Sequence, residues 1–138
     1  MTTINPYFLH VAIDPLAGLA DDDDAVISFR TLDCDDPTIM RALIRQIIVP
    51  YIHSLNQQSQ TRIREAFQYY LSKPDADWGR VFNSILPPFD GPQDIRQFFV
   101  WVFEECFKDQ DYQLTDLKGW RVCEDITEPL RVKQGVSE

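Results

Sequence analysis

Aspartates are the residues whose type and spacing most readily suggest chemistry in this chain. Four of them form the run Asp21–Asp24, and Asp33, Asp35 and Asp36 form a second group shortly afterwards. Ca²⁺ takes about six to eight oxygen ligands, often from closely spaced carboxylates in a loop. The candidate metal ligands are therefore Asp21, Asp22, Asp23, Asp24, Asp33, Asp35 and Asp36, and Ca²⁺ is the one cofactor that the sequence suggests.

The spacing of the two aspartate groups argues against one shared ion. If the residues between the groups form a strand, they hold the carboxylates roughly 23–27 Å apart. The second group also lacks the glycine and the distal glutamate of the common calcium loop. A charged loop at Asp21–Asp24 and a solvated helix-capping turn at Asp33–Asp36 explain both groups without metal. Calcium binding is thus the alternative hypothesis.

Nucleophilic catalysis would need a cysteine or serine beside a base, which is usually histidine. The chain has two histidines, His10 and His53, and Cys34 could pair with either, but no local pattern supports such a pair. The glycine-rich phosphate loops, the serine-hydrolase elbow and the zinc-protease motif are all missing from the sequence. We expect no catalytic residues and rank an enzyme third.

The charge of the chain indicates which partners it suits. The 138 residues carry a net charge of −9, with a pI near 4.6, which argues against nucleic acids and anionic membranes as partners. Residues 1–36 hold eight acids and one arginine, whereas residues 37–73 hold five basic residues and one glutamate. These segments are expected to attract each other within one fold. Alternatively, the basic residues at 37–73 form a groove that binds an anionic ligand.

The leading functional hypothesis is a small acidic interaction module that is not an enzyme. Such a protein would act as an adaptor, regulator or inhibitor of a basic protein partner, and immunity proteins that neutralise toxins are one subclass. Complementary charge accelerates association between two proteins. The sequence does not fix the oligomeric state.

The middle of the chain has four segments with helical periodicity. The first has Asp36 as N-cap and Pro37 at the first helical position, followed by apolar pairs four residues apart as far as Ile52. Pro50 should kink or break this helix near Val49. A second helix is predicted over residues 59–72.

The third and fourth helices are predicted from shorter apolar stripes. The third begins near Trp78, with Asp75 or Asp77 as its cap. The fourth has Asp90 or Gly91 as its cap and Pro92 in its first turn. Its predicted core face consists of Ile95, Phe98, Phe99, Val102, Phe103 and Cys106.

The fourth helix also supplies the predicted partner-binding residues. Trp101 lies opposite the core face, on the same side as four polar residues. It must be either covered by a terminal flank or exposed as a binding anchor, since tryptophan is enriched at interface hot spots. The candidate partner-binding residues are Trp101, Asp94, Gln97, Glu104 and Glu105.

The two flanks have weaker patterns. Val26–Leu32 alternates like a strand, and residues 7–13 fit either a strand or a short helix with Asn5 as cap and Pro6 at its first position. Tyr112–Leu117 and Trp120–Glu124 flank Lys118-Gly119, which weakly indicates a hairpin. The tail from Thr127 to Glu138 is expected to fray.

These patterns predict a mainly α fold, with a four-helix core at residues 37–108 and a small β element built from the flanks. An all-α fold is the alternative. We expect one domain over residues 1–138, with an acidic flank at 1–36, a C-terminal flank at 109–126 and a tail at 127–138. Three widely spaced cysteines, and no signal peptide or long apolar stretch, favour a cytoplasmic protein with reduced thiols.

Overall fold

Helices dominate the computed structural model, which describes residues 2–19, 33–73, 75–84, 93–108, 110–114 and 116–133. The elements in chain order are β1 (Thr2–Ile4), α1 (Tyr7–Leu19), α2 (Pro37–Leu43), a π-helical turn (Ile44–Ile48), α3 (Val49–Ser54), α4 (Gln57–Leu71), α5 (Trp78–Asn83), α6 (Ile95–Cys106), β2 (Trp120–Val122) and α7 (Glu128–Lys133). The predicted fold class, mainly α with a small β element, is confirmed.

The two strands come from opposite ends of the chain. β1 and β2 pair in parallel, with Thr2 opposite Trp120 and Ile4 opposite Val122. The predicted hairpin is wrong, because β2 pairs with β1 and the preceding segment bonds to the end of α4. There, Ser72 Oγ donates to the Tyr112 carbonyl. The predicted strand Val26–Leu32 lies outside the described residues.

Side-chain caps fix the start of α2, α4 and α5. Asp36 Oδ1 accepts a hydrogen bond from Thr38 N, as predicted, and Asp77 caps α5 through Arg80 N. Asn56 caps α4, which starts two residues before its predicted position. The fourth predicted helix starts later than expected.

The predicted caps of that fourth helix, Asp90 and Gly91, lie outside the described residues. The observed helix, α6, begins at Ile95 with Asp94 in the N-cap position. The preceding residue is tied to another loop, because Gln93 N donates to Asp35 Oδ1. The start of the helix therefore depends on a tertiary contact with a distant loop, which the sequence of the helix itself cannot indicate.

The predicted interruption near Pro50 takes the form of a π-helical turn. Val49 N bonds to the Ile44 carbonyl, five residues back, and α-helical structure resumes at Val49. Pro50 then lies in the first turn of α3, where a missing N–H costs little. The chain thus stays helical from Pro37 to Ser54 and changes its pitch.

Residues 7–13 are helical, and α1 belongs to the core. Asn5 Oδ1 accepts from Tyr7 N at 3.0 Å, which supports the predicted cap. One side of α1 is buried against α4, α5 and the π-helical turn. Its buried side chains are Phe8, Leu9, Ala12, Ile13 and Leu16. The core therefore extends beyond the predicted boundary of residues 37–108.

The C-terminal tail, for which the sequence predicts fraying from Thr127, contains the helix α7 (Glu128–Lys133). Val132 is buried, and its carbonyl accepts a hydrogen bond from Asn56 Nδ2 at 2.7 Å. Residues 134–138 lie outside the described part of the chain. Among the helices that the structure describes, none combines the length and apolar character needed to cross a bilayer.

The helix α6 lies at the centre of the fold. Its consecutive side chains from Phe98 to Phe103 are all buried. A helix that is apolar around its whole circumference needs neighbours on every side, and α6 packs against α2, α3, α4, α5 and the π-helical turn. On one side Phe99 stacks near Trp78, with the ring centroids 4.6 Å apart.

Candidate partner-binding surface

The predicted partner-binding residues on α6 do not form an exposed surface. Trp101 is only 6% exposed, so of the two alternatives the structure shows a covered side chain and not an exposed anchor. Glu105 is equally buried, whereas Asp94 is exposed and Gln97 is half-buried. The run of apolar residues around α6 explains this burial, since helices must cover the face that was expected to meet solvent or a flank.

Two arginines neutralise the acids on this face. Arg41 Nη1 lies 2.9 Å from Glu105 Oε2, and a second nitrogen of Arg41 pairs with Glu104. Arg45 Nη1 lies 3.5 Å from Glu105 Oε1. A buried carboxylate needs such partners because desolvation of an isolated charge is costly. Glu104 and Glu105 thus join α6 to α2 and the π-helical turn.

The second aspartate group caps its own turn and ties it to the loop before α6. Asp33 Oδ1 accepts from Asp35 N, Asp35 Oδ1 from Gln93 N, and Asp36 Oδ1 from Thr38 N. The first group, Asp21–Asp24, lies outside the described residues. Across the part of the chain that the structure does describe, no three histidine, cysteine or acidic side chains are grouped so that they could hold a metal ion.

The histidines bond to groups other than those considered from the sequence. His10 Nδ1 lies 2.7 Å from Ser84 Oγ, and His53 Nε2 lies 3.0 Å from the Cys106 carbonyl oxygen. The thiol of Cys106 is unsuited to nucleophilic chemistry, because burial, together with the charge of Glu105, raises its pKa to about 12.

The exposed large apolar side chains of the described residues are concentrated in the C-terminal flank and tail. They are Val122, Ile126 and Leu130, and the last two are 69% and 58% exposed. Ile126 and Leu130 border a groove between α1 and α7 with a volume of about 280 Å³. The residues lining this α1–α7 groove are Tyr7, His10, Val11, Asp14, Ile126, Pro129 and Leu130.

Hydrogen bonds at the N-terminal end of α7 hold the groove in place. Asp125 accepts from Thr127 N and from Arg131 Nη2, the latter at 2.7 Å. These bonds, Arg131 first and Thr127 next, lower the pKa of Asp125 to about 2. Glu128 Oε1 accepts from Arg62 Nη2 at 2.8 Å, which ties α7 to α4. Ile126 and Leu130 are therefore presented from an ordered segment.

A second, larger cleft adjoins the groove and shares Tyr7 and His10 with it. It has a volume of about 420 Å³ and lies between α1 and α5, so we call it the α1–α5 cleft. Its lining residues are Pro6, Tyr7, Leu9, His10, Tyr70, Ala76, Asp77, Trp78, Arg80, Val81, Ser84 and Glu124. Burial, and then the charge of Arg80, lower the pKa of His10, which favours the neutral imidazole.

The sequence contains a pattern that indicates α7, the helix on one side of the groove, although the sequence-based prediction places no helix there. Glu128-Pro129 after Asp125 is typical of a helix start, since proline favours the first turn and acids favour the N-terminus. Ile126 and Leu130 are then four residues apart. The contact between this short helix and α1 spans more than a hundred residues and has no local pattern.

No protein-family model, curated protein or solved structure matches the chain.

Proposed function

We propose that this protein is a non-enzymatic interaction module that binds a basic protein partner, as an adaptor, regulator or inhibitor, through the α1–α7 groove. The observation that carries the proposal is the exposure of Ile126 and Leu130 beside that groove. The proposed compartment is the cytoplasm, where Cys34, Cys106 and Cys123, none of which is in a disulfide here, would stay reduced.

The apolar part of the groove has the character of a binding site. Neighbouring exposed apolar side chains often mark protein interaction sites. Tyr7, Val11 and Pro129 provide a floor beside Ile126 and Leu130, so a partner side chain could be enclosed on several sides. Because hydrogen bonds already order the segment, binding would lose little conformational entropy.

The charge around the groove favours a basic partner. Asp14 lines the groove itself, and Asp77 and Glu124 line the adjoining cleft, where Arg80 is the opposing cation. The whole chain adds a net charge of −9. Long-range attraction of this kind raises association rates and weakens as salt screens it.

Photo-crosslinking in the native lysate tests the proposal. A benzophenone amino acid replaces Leu130 in one variant and Asp94 in a control variant, because Asp94, the N-cap of α6, is exposed and does not line the groove. We expect the Leu130 probe to capture one basic protein, less efficiently at higher salt, and the Asp94 probe to capture none. The captured protein, purified separately, should bind with one-to-one stoichiometry.

Two results would overturn the proposal. One is crosslinking of the partner from position 94 but not from position 130. The other is the absence of any specific crosslink from position 130 at low salt.

A further inference from the structure

The α1–α5 cleft has the size of a small-molecule site. Its volume of about 420 Å³ lies within the range of about 300–1,000 Å³ that is typical of ligand pockets. Tyr7, Tyr70 and Trp78 line it with aromatic rings. The proposed protein interaction involves this cleft only through Tyr7 and His10 at its edge and through the long-range charge of Asp77 and Glu124.

The cleft contains two opposite charges that do not neutralise each other. Arg80 and Glu124 both line it, yet neither forms an ion pair with the other or with any residue that the structure describes. The carboxylate of Asp77, by contrast, already accepts the Arg80 N–H as a helix cap. Arg80 and Glu124 therefore remain available as a separate cation and anion.

The two charges have different neighbours within the cleft. The charge of Arg80 acts on His10, and the charge of Glu124 acts on Tyr70. Burial, then Tyr69 and Glu124, raise the pKa of Tyr70 to about 12, so its hydroxyl stays protonated. The positive region of the cleft is thus next to His10, and the negative region is next to Tyr70.

The hydroxyl and the imidazole in the positive region already bond to each other. Ser84 Oγ donates to the Val81 carbonyl at 2.6 Å, so His10 Nδ1, which lies 2.7 Å from the same oxygen, is the donor of that second bond. The guanidinium of Arg80 is therefore the donor that this end of the cleft offers to a ligand oxygen.

We propose that the α1–α5 cleft binds a small zwitterion with an apolar side chain, namely a free amino acid or a dipeptide. Its carboxylate lies toward Arg80, and its ammonium group lies toward Glu124. Its apolar part packs against the rings of Tyr7, Tyr70 and Trp78. Charge-assisted hydrogen bonds at both ends distinguish such a ligand from a simple anion or cation.

Calorimetric titration with matched ligands tests this assignment. L-phenylalanine, L-leucine and glycyl-L-phenylalanine are the zwitterions, and the last distinguishes a dipeptide from a free amino acid. N-acetyl-L-phenylalanine lacks the ammonium group and L-phenylalaninamide lacks the carboxylate. We expect at least one zwitterion to bind, and each truncated ligand to bind about tenfold or more weakly, the usual size of a charge-assisted contact.

Two cleft variants assign each ligand charge to its residue. Arg80→Gln should abolish the preference over the amide and keep the preference over the N-acetyl compound, whereas Glu124→Gln should do the reverse. Arg64→Gln and Glu65→Gln, outside the cleft, are the matched controls and should change neither preference. Thermal unfolding confirms that all four variants fold.

The proposal is overturned if the wild-type protein binds none of the three zwitterions, or binds a truncated ligand equally well. Preferences that survive both Arg80→Gln and Glu124→Gln overturn it as well. None of these results bears on the α1–α7 groove, because the crosslinking experiment probes Leu130, which does not line the cleft.

Discussion

Asn5 and Glu128 are joined by a hydrogen bond of 3.0 Å, from Asn5 Nδ2 to Glu128 Oε1, although 123 positions separate them in the sequence. The same amide nitrogen donates to the Asp125 carbonyl at 2.7 Å, and Asn5 Oδ1 accepts from Tyr7 N. Asn5 is fully buried. One asparagine therefore fixes the start of α1 and the position of α7, which are the two sides of the proposed binding groove.

Replacement of Asn5 by alanine should destabilise the protein. The change leaves Tyr7 N and the Asp125 carbonyl without their described side-chain partner, and buried unsatisfied groups cost about 1–3 kcal/mol each. Because Tyr7 and Asp125 are only half-buried, each cost lies toward the lower end of this range, and we expect the free energy of unfolding in urea to fall by about 2–3 kcal/mol in total. Asn83→Ala, at an exposed position, is the matched control and should change it by less than about 0.5 kcal/mol. Equal effects of the two variants would contradict this role of Asn5.

Truncation of Trp101 separates a core role from an interface role. Because the side chain is buried, Trp101→Ala should lower the free energy of unfolding by about 3–5 kcal/mol, as aromatic truncations in cores do. Leu130→Ala, at an exposed position, should change it by less than about 0.5 kcal/mol. A loss below about 1 kcal/mol for Trp101→Ala would restore the idea of an exposed anchor.

The two neighbouring glutamates on α6 should differ in their contributions to stability. Breaking a fully buried ion pair costs about 3–5 kcal/mol, but Arg41 and Arg45 are partly exposed, so Glu105→Gln should cost about 1–3 kcal/mol. Glu104→Gln should cost less than about 1 kcal/mol, because the Glu104 side chain is 44% exposed. Urea unfolding of both variants measures the difference. A larger loss of unfolding free energy for Glu104→Gln than for Glu105→Gln would refute the greater contribution of the buried Glu105.

The lowered pKa of His10 predicts a pH dependence of stability. Burial, followed by the charge of Arg80, lowers this pKa from its usual 6.5 in the folded protein. Between the lowered value and 6.5 the unfolded chain binds more protons than the folded chain, so the free energy of unfolding rises with pH. The contribution of His10 is therefore complete above pH 6.5 and is lost as the pH falls below it.

NMR titration measures this pKa directly. The chain has only two histidines, so a His53→Gln variant leaves a single imidazole signal, that of His10. The pKa should lie below 6.5, and His10→Gln should flatten the rise of stability with pH in that window. A measured pKa at or above 6.5 would contradict the burial of this imidazole.

Local signals in the sequence were sufficient to predict most of the helices. Asp36 and Asp77 cap the helices that follow them, and the apolar spacing from Ile63 to Leu71 matches α4. These predictions succeed because caps and amphipathic stripes act over a few residues. The same local reasoning did not identify the buried surface of α6. Six consecutive apolar residues, Phe98–Phe103, are buried there, so the apolar surface surrounds the helix and is not confined to one stripe.

The surfaces could not be predicted because long-range contacts create them. Arg41 forms ion pairs with Glu104 and Glu105, the acids that were expected to face a partner. Arg41 is more than sixty positions away from both glutamates in the sequence. The pairing of His10 with Ser84 spans 74 positions, and β1 pairs with a strand near the other end of the chain. Such contacts depend on the packing of whole helices, which periodicity does not specify.

The affinity of the crosslinked partner for a groove variant is the most direct test of the proposed function. Ile126→Ala combined with Leu130→Ala should leave the free energy of unfolding nearly unchanged, since both side chains are mostly exposed. Calorimetry should show binding weakened by about 2 kcal/mol or more, the size of a hot-spot effect. Wild-type affinity in this folded double variant would contradict the assignment of the α1–α7 groove as the partner-binding surface.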